Sequence, residues 1–426
     1  MNATALKTRL IVMNFLIFAV WGAYLCSLGV YLGGIGMGVN IGSFFAIQGI
    51  VSLFMPALMG IVADKWIPAQ KLLGICHGLA ALFMALAGYM GMKYGDSVTF
   101  GQLFPFYAIS VAFFMPTIAL GNSVSYNALA KGGLDPVKAY PPIRVFGTIG
   151  FIVSMWIVDL TGFKGNYMQL FVSAAWGVLL AFYAFTLPDC PVSKGKSGAS
   201  IVEALGLRAF TLFKDSKMCL FFIFSFLLGM CLQVTNGFAG TFLGDFGKNP
   251  IYADTFAVQH NIMLSSLSQI SETLCILLIP FFLKRFGIKK VMLISMFAWF
   301  FRFGFFGLGN PSDGVWLFVL SMIVYGVAFD FFNISGSLFV EQNTDEGIRS
   351  SAQGVFMMMT NGLGATIGSF CAGAVVNHFV YNPANANPAF DIMRGWSTAW
   401  YIFGAFAFVV AIVFAFTFKY KNEMND

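Results

Sequence analysis

Apolar runs long enough to cross a lipid bilayer recur along this chain, with only short polar breaks between them. A spanning helix needs about 20 predominantly apolar residues. Windows of that length predict twelve spans, near 10–32, 41–63, 72–92, 101–128, 142–161, 168–188, 218–244, 256–283, 290–309, 315–340, 350–377 and 397–418. Inside a bilayer every backbone polar group must be satisfied within the protein, so these runs read as helices and no strand is needed. Composition agrees: 58% of the 426 residues are apolar and 10% are charged, where a soluble domain carries about 25% charge. An ordinary cytosolic enzyme, a secreted domain, a disordered chain and a DNA-binding protein are all excluded. The formal charge of +6 is scattered in short loops, where it marks topology rather than a nucleic-acid footprint. The run from Leu10 is too long for a signal-peptide core and lacks a small-residue cleavage site, so it reads as the first span.

An even number of spans puts both termini on one side of the membrane. Placing them inside leaves eighteen Lys and Arg on inner loops and ends, against Lys93, Lys164, Lys248 and Arg394 on outer ones; Arg144 and Arg302 fall within spans. Inner loops carry the basic excess, so both termini are expected to be cytoplasmic. Trp316, Trp396 and Trp400 then fall at outer span ends, where amphipathic rings prefer the interface. Residues 190–217 form the one long polar stretch. They read as a cytoplasmic linker between an N-terminal six-helix bundle (1–189) and a C-terminal one (218–426). Ile201, Leu205, Arg208 and Leu212 recur there at helical spacing, which predicts an amphipathic helix lying on the inner membrane face.

The two halves look related. Ser110 precedes Asn122 by twelve residues in span four, and Ser321 precedes Asn333 by twelve in span ten. Ile143-Arg144 opens span five as Ile348-Arg349 opens span eleven. Gln48 and Gln269 precede Lys65-Trp66 and Arg285-Phe286 by similar distances. Two six-span repeats with a binding site near the midplane are the plan of a secondary transporter.

Ionisable residues inside spans are expensive and point to function. Glu272 lies twelve residues from Lys284 on span eight, about 18 Å of helix and so near mid-bilayer. Asp330 sits mid-span in span ten, and Arg144 toward the inner half of span five. Other residues share their faces. Gln233 and Asn236 are i,i+3 on span seven, and Gln269 and Glu272 repeat that spacing. Arg144, Thr148 and Phe151 are i, i+4, i+7, and Tyr325 and Phe329 are i,i+4 beside Asp330. Amides offer paired donors and acceptors to hydroxyls and heterocycle edges, and aromatic faces offer stacking. One arginine against two carboxylates disfavours a polyanion. The expected ligand is neutral, polar and partly planar. The competing reading of the three charges is an ion pair that only locks helices together.

Enzyme motifs are absent: there is no H-E-x-x-H, no G-x-S-x-G and no phosphate-binding loop. His77, His260 and His378 are scattered and read as packing residues. The seven cysteines form no C-x-x-C pair and read the same way. Gly364 and Gly368, four apart in span eleven, read as close helix packing.

Gly60, Asp64 and Lys65 in FMPALMGIVADKW (54–66) resemble the loop signature of the major facilitator superfamily. Longer segments are more specific. PPIRVFGTIGF (141–151), LQVTNGF (232–238), SQISETL (268–274), SMIVYGVAFDFFNISGS (321–337) and SAQGVFMMMTNG (351–362) resemble the bacterial nucleoside:proton symporters. The resemblance runs in order over nearly the whole chain. It implies an all-α membrane protein of the major facilitator fold, with twelve transmembrane helices in two six-helix bundles. It implies that Arg144, Thr148, Phe151, Gln233, Asn236, Gln269, Glu272, Tyr325, Phe329 and Asp330 contribute to a nucleoside site, with Asp330 tied to proton coupling.

The expected function is nucleoside:H+ symport into the cell by alternating access. A proton taken up outside would neutralise Asp330 or Glu272, so the loaded carrier closes without burying a bare charge. The expected partners are purine and pyrimidine nucleosides, protons and membrane lipid, with no nucleic acid, no cofactor and no metal. A monomer in the bacterial inner membrane is expected. A facilitator of the same fold for sugars or another neutral polar solute is the alternative.

Overall fold

The computed structural model describes residues 2–190, 207–345, 348–382 and 392–420, and every regular element among them is helical. The chain divides into two compact units, one from Met1–Met37 and Ile50–Leu205, the other from Gly38–Gly49 and Gly206–Asp426.

The first unit contains α1 (Ala3–Gly22), α2 (Leu28–Gly34), α4 (Met55–Lys65), α5 (Ala69–Tyr94), α6 (Phe100–Lys131), α7 (Pro136–Leu160) and α8 (Met168–Ala184), while most of α3 (Ile41–Ser52) belongs to the second. Asn2 starts α1 well before the apolar run begins: its Oδ1 accepts a hydrogen bond from the Ala5 amide at 2.8 Å. A side-chain cap of this kind satisfies one of the orphan donors of the first turn. Thr99 and Gln102 form a reciprocal capping box at the start of α6.

The second unit continues with α9 (Ser216–Asp245), α10 (Leu267–Leu308), α11 (Val315–Asn343), α12 (Arg349–Met357), α13 (Ala365–Phe379) and α14 (Ile392–Thr417). Between α12 and α13, Met358–Gly364 is a π-helical turn that sequence periodicity did not foretell. Ile201 and Leu205 of the expected amphipathic helix lie outside the described residues; Leu207–Lys214 is a 3₁₀ helix with Leu212 half-buried.

Among the described residues, ten helical stretches are long and apolar enough to cross a bilayer, and Met168–Ala184 is a shorter apolar helix. One stretch, Asn261–Leu308, runs for 48 residues, far beyond what a bilayer needs. It breaks at Gly287, whose φ of 75° and ψ of 168° are open to glycine and strained for other residues. The break falls between the windows read as spans eight and nine. The segment read as span two has its own break, at Leu53 and Phe54 between α3 and α4.

The sequence repeat has a physical counterpart. In the first unit the Ser110 hydroxyl on α6 donates to the Ala80 carbonyl on α5 at 2.7 Å. In the second, the Ser321 hydroxyl on α11 donates to the Arg302 carbonyl on α10 at 2.9 Å. Each clasp joins the same pair of consecutive spans in its own unit. The tryptophan expectation needs correcting. Trp316 is exposed, but Trp396 and Trp400 are fully buried. Trp396 Nε1 donates to Asp245 Oδ2 at 2.8 Å, and Phe242 packs against both indoles. A buried acceptor and an aromatic cluster hold these rings inside the protein.

Candidate functional site

Of the ten residues singled out in the sequence, three stand on α7 in the first unit. Arg144, Thr148 and Phe151 share one face, as their spacing requires. The Arg144 guanidinium carbon lies 3.8 Å from the centroid of the Phe18 ring. Phe151 is buried, and its ring meets Trp21 edge-on at 6.2 Å. Phe18 and Trp21 are three apart on α1, so α1 supplies the aromatic backing for α7. Thr148 is half-buried between them in sequence.

The other seven stand on α9, α10 and α11 in the second unit. Gln233 and Asp330 are buried at 9% and 5% exposure; Asn236, Gln269 and Glu272 are half-buried. The Oε1 atoms of Gln233 and Gln269 and Oδ2 of Asp330 are buried without a hydrogen-bond partner. Such groups cost free energy unless something completes them. Glu272 on α10 is close enough to Asp330 on α11 to interact with it electrostatically. Tyr325 and Phe329 stack nearly parallel, 5.8 Å apart with 11° between their planes. This set combines amide acceptors, a stacked aromatic pair and two neighbouring carboxylates.

A cavity within the second unit runs beside this set. Phe329 lines it with Leu228, Gly229, Leu232, Trp299, Ala328, Phe332, Asn333, Thr360 and Asn361. Thr360 and Asn361 come from the π-helical turn. The extra residue of a π turn redirects side chains, and such turns are frequent at functional sites.

Sequence reasoning passed over two residues on α10. Arg302 is a further arginine inside a span, so the expected balance of one arginine against two carboxylates is wrong by one. Arg302 is 2% exposed. Its Nη1 donates to the Ser321 carbonyl at 2.7 Å and its Nε to Thr235 Oγ1 at 3.2 Å. The guanidinium is thus committed to the protein frame, and the argument against a polyanionic ligand survives the correction. Trp299, one turn earlier, meets Tyr325 edge-on at 5.9 Å. A charge in mid-span was the signal that could have found Arg302; Trp299 carries no such signal.

The helices and the buried polar set define a multi-span membrane carrier of the major facilitator fold. A crystal structure of a D-xylose-proton symporter superposes with a TM-score of 0.71 over 98% of both chains at 12% identity, which speaks to fold alone. Residues 4–423 match the nucleoside H+ symporter family, and the chain belongs to it. Xanthosine permease of Escherichia coli (strain K12) is 48% identical over 423 residues, covering 98% of this chain and 97% of the permease. Nucleoside permease NupG of the same organism is 46% identical over 420 residues, covering 98% and 97%. A crystal structure of a mutant of the nucleoside transporter NupG superposes with a TM-score of 0.90 over 97% of this chain and 100% of that one.

Proposed function

We propose that this protein imports nucleosides together with protons across the bacterial cytoplasmic membrane by alternating access. The observation that carries the reading is buried Asp330 with half-buried Glu272 in electrostatic reach, beside unpartnered amide oxygens and the Tyr325–Phe329 stack, in a chain whose relatives at 46–48% identity are nucleoside and xanthosine permeases. The amides of Gln233, Asn236 and Gln269 suit ribose hydroxyls and base edges, and the stacked rings suit a planar base. The resemblance assigns Arg144, Thr148 and Phe151 to nucleoside recognition as well. Asp330, with Glu272 beside it, is assigned the proton. The basic excess of the inner loops supports cytoplasmic termini.

The test is uptake of labelled uridine and adenosine into proteoliposomes, with and without an imposed pH gradient. Nucleoside accumulation against its gradient, driven by external acid, is expected. Competition by other nucleosides and indifference to sugars would separate this from a sugar facilitator. Uptake that only equilibrates, whatever the pH gradient, would refute proton coupling.

A further inference from the structure

We infer that Arg302 is a positioning residue for substrate recognition, holding the Tyr325 ring and the three polar helices around it in register. The inference rests on the nucleoside reading above. The guanidinium touches each element that carries the candidate site in the second unit. Thr235, which accepts from Nε, is the neighbour of Asn236 on α9. Ser268, 3.5 Å from both Nη1 and Nη2, is the neighbour of Gln269 on α10. The Ser321 carbonyl on α11 accepts from Nη1, one turn before Tyr325. The guanidinium carbon lies 4.6 Å from the Tyr325 ring centroid. Tyr325 is therefore fixed by the cation, by the Trp299 edge and by the parallel Phe329 ring. Phe329 and Trp299 both line the cavity.

The first unit shows that the fold itself does not require this arginine. Ser110 and Phe114 lie 211 residues before Ser321 and Tyr325, and His77 and Ala80 lie 222 before Trp299 and Arg302. The serine clasp is present there, with Ala80 in the arginine's place. The ring contact is present too: His77 meets Phe114 edge-on at 5.8 Å, as Trp299 meets Tyr325 at 5.9 Å. At the corresponding positions the same helix pair packs with alanine for the cation and phenylalanine for the phenol. The cation and the phenol occur together in the unit that holds the two carboxylates. A buried arginine in a membrane span is costly, and its presence argues for a task.

Lysine cannot take over that task. It concentrates its donors at one point and lacks the planar fork that reaches three helices and stacks on a ring. Binding of uridine and adenosine to purified full-length protein in nanodiscs tests the inference. Arg302→Lys is expected to weaken nucleoside binding about tenfold, between the exposed and the desolvated size of a cation–π contact. In a Tyr325→Leu background the same exchange is expected to cost no further affinity, because the ring through which it acts is gone. Unchanged affinity in Arg302→Lys, or penalties that multiply in the double variant, would overturn the inference. So would lower thermal stability with unaltered affinity in the folded fraction, the mark of a purely structural role. Should Arg302→Lys not fold, Thr235→Val and Ser268→Ala each release one tether with the charge left in place. Parent-like nucleoside affinity in both would equally overturn it. A parent protein that binds no nucleoside would refute the proposed function instead, which separates the two failures.

Discussion

Asp330 is buried in the middle of an apolar helix, with one carboxylate oxygen unpartnered and a second carboxylate within electrostatic reach. A bare charge on buried Asp330 would carry a desolvation penalty of several kcal/mol in addition to its repulsion with Glu272. A single proton relieves much of both, which is why this pair suits a carrier that must close over its cargo. Asp330→Asn imitates the protonated acid. It is expected to bind nucleoside and exchange it across the membrane but to lose accumulation driven by a pH gradient. Full accumulation by a well-folded variant would move the proton to Glu272. Were Asp330 only a helix lock, its loss would show as reduced folded protein and a lower melting temperature. Gln233→Ala and Gln269→Ala remove neutral partners, each expected to weaken nucleoside binding by about 1 kcal/mol, roughly fivefold, without loss of membrane insertion. Titration calorimetry reads both, and parent-like affinity in the pair would place recognition elsewhere. These residues were legible in the sequence because a polar group at mid-span is improbable without a reason. Arg302 was equally legible, as a charge inside a span. Trp299 was not legible, since an aromatic residue in a greasy helix says nothing until its neighbour Tyr325 is known.

Helices α10 and α11 set the spacing of Glu272 and Asp330, and at Gly326 they pack backbone against backbone. A Cβ there would stand 2.6 Å from the Ser271 carbonyl on α10. The Ser271 hydroxyl donates to the Ile323 carbonyl at the same crossing. Gly326→Val is therefore expected to push the two helices apart, lowering the melting temperature and abolishing proton-driven uptake together. Gly304→Ala is the control on α10. A Cβ there meets nothing within 4 Å, so the change is expected to be neutral or to stabilise by about 0.5–1 kcal/mol. Gly287→Ala places a side chain at a φ of 75° and is expected to cost about 1–2 kcal/mol. A melt of detergent-purified protein ranks the three variants, and equal stability of all three would contradict this account of α10. Spans were legible because hydrophobic length is a composition property. Their ends were less so: α1 begins at Ala3 because Asn2 caps it, and Lys7 and Arg9 extend the helix beyond the greasy run. The π turn at Met358–Gly364 was not legible, since one additional residue in a turn leaves hydrophobic periodicity almost unchanged.

At the scale of the whole molecule, the division of charge between loops and spans governs how the carrier responds to voltage. Basic residues crowd the loops assigned to the cytoplasm, while buried Asp330 and half-buried Glu272 lie on helices of the second unit. A neutral nucleoside that moves with one proton carries one net positive charge inward per cycle. A potential of 100 mV, negative inside, is worth about 2.3 kcal/mol for that charge, roughly a fiftyfold nucleoside gradient at equilibrium. Voltage alone should then drive accumulation when no pH difference is imposed. In proteoliposomes with a potassium diffusion potential set by valinomycin, labelled uridine is expected to accumulate when the lumen is negative and to leave when it is positive. The Asp330→Asn protein should respond to neither polarity, because its carboxamide cannot carry the proton that makes the cycle electrogenic. Accumulation that follows the pH gradient but ignores voltage would mean that a compensating charge moves with the proton. That outcome would require a second ion in the cycle, and it would rule out simple one-proton symport of a neutral nucleoside.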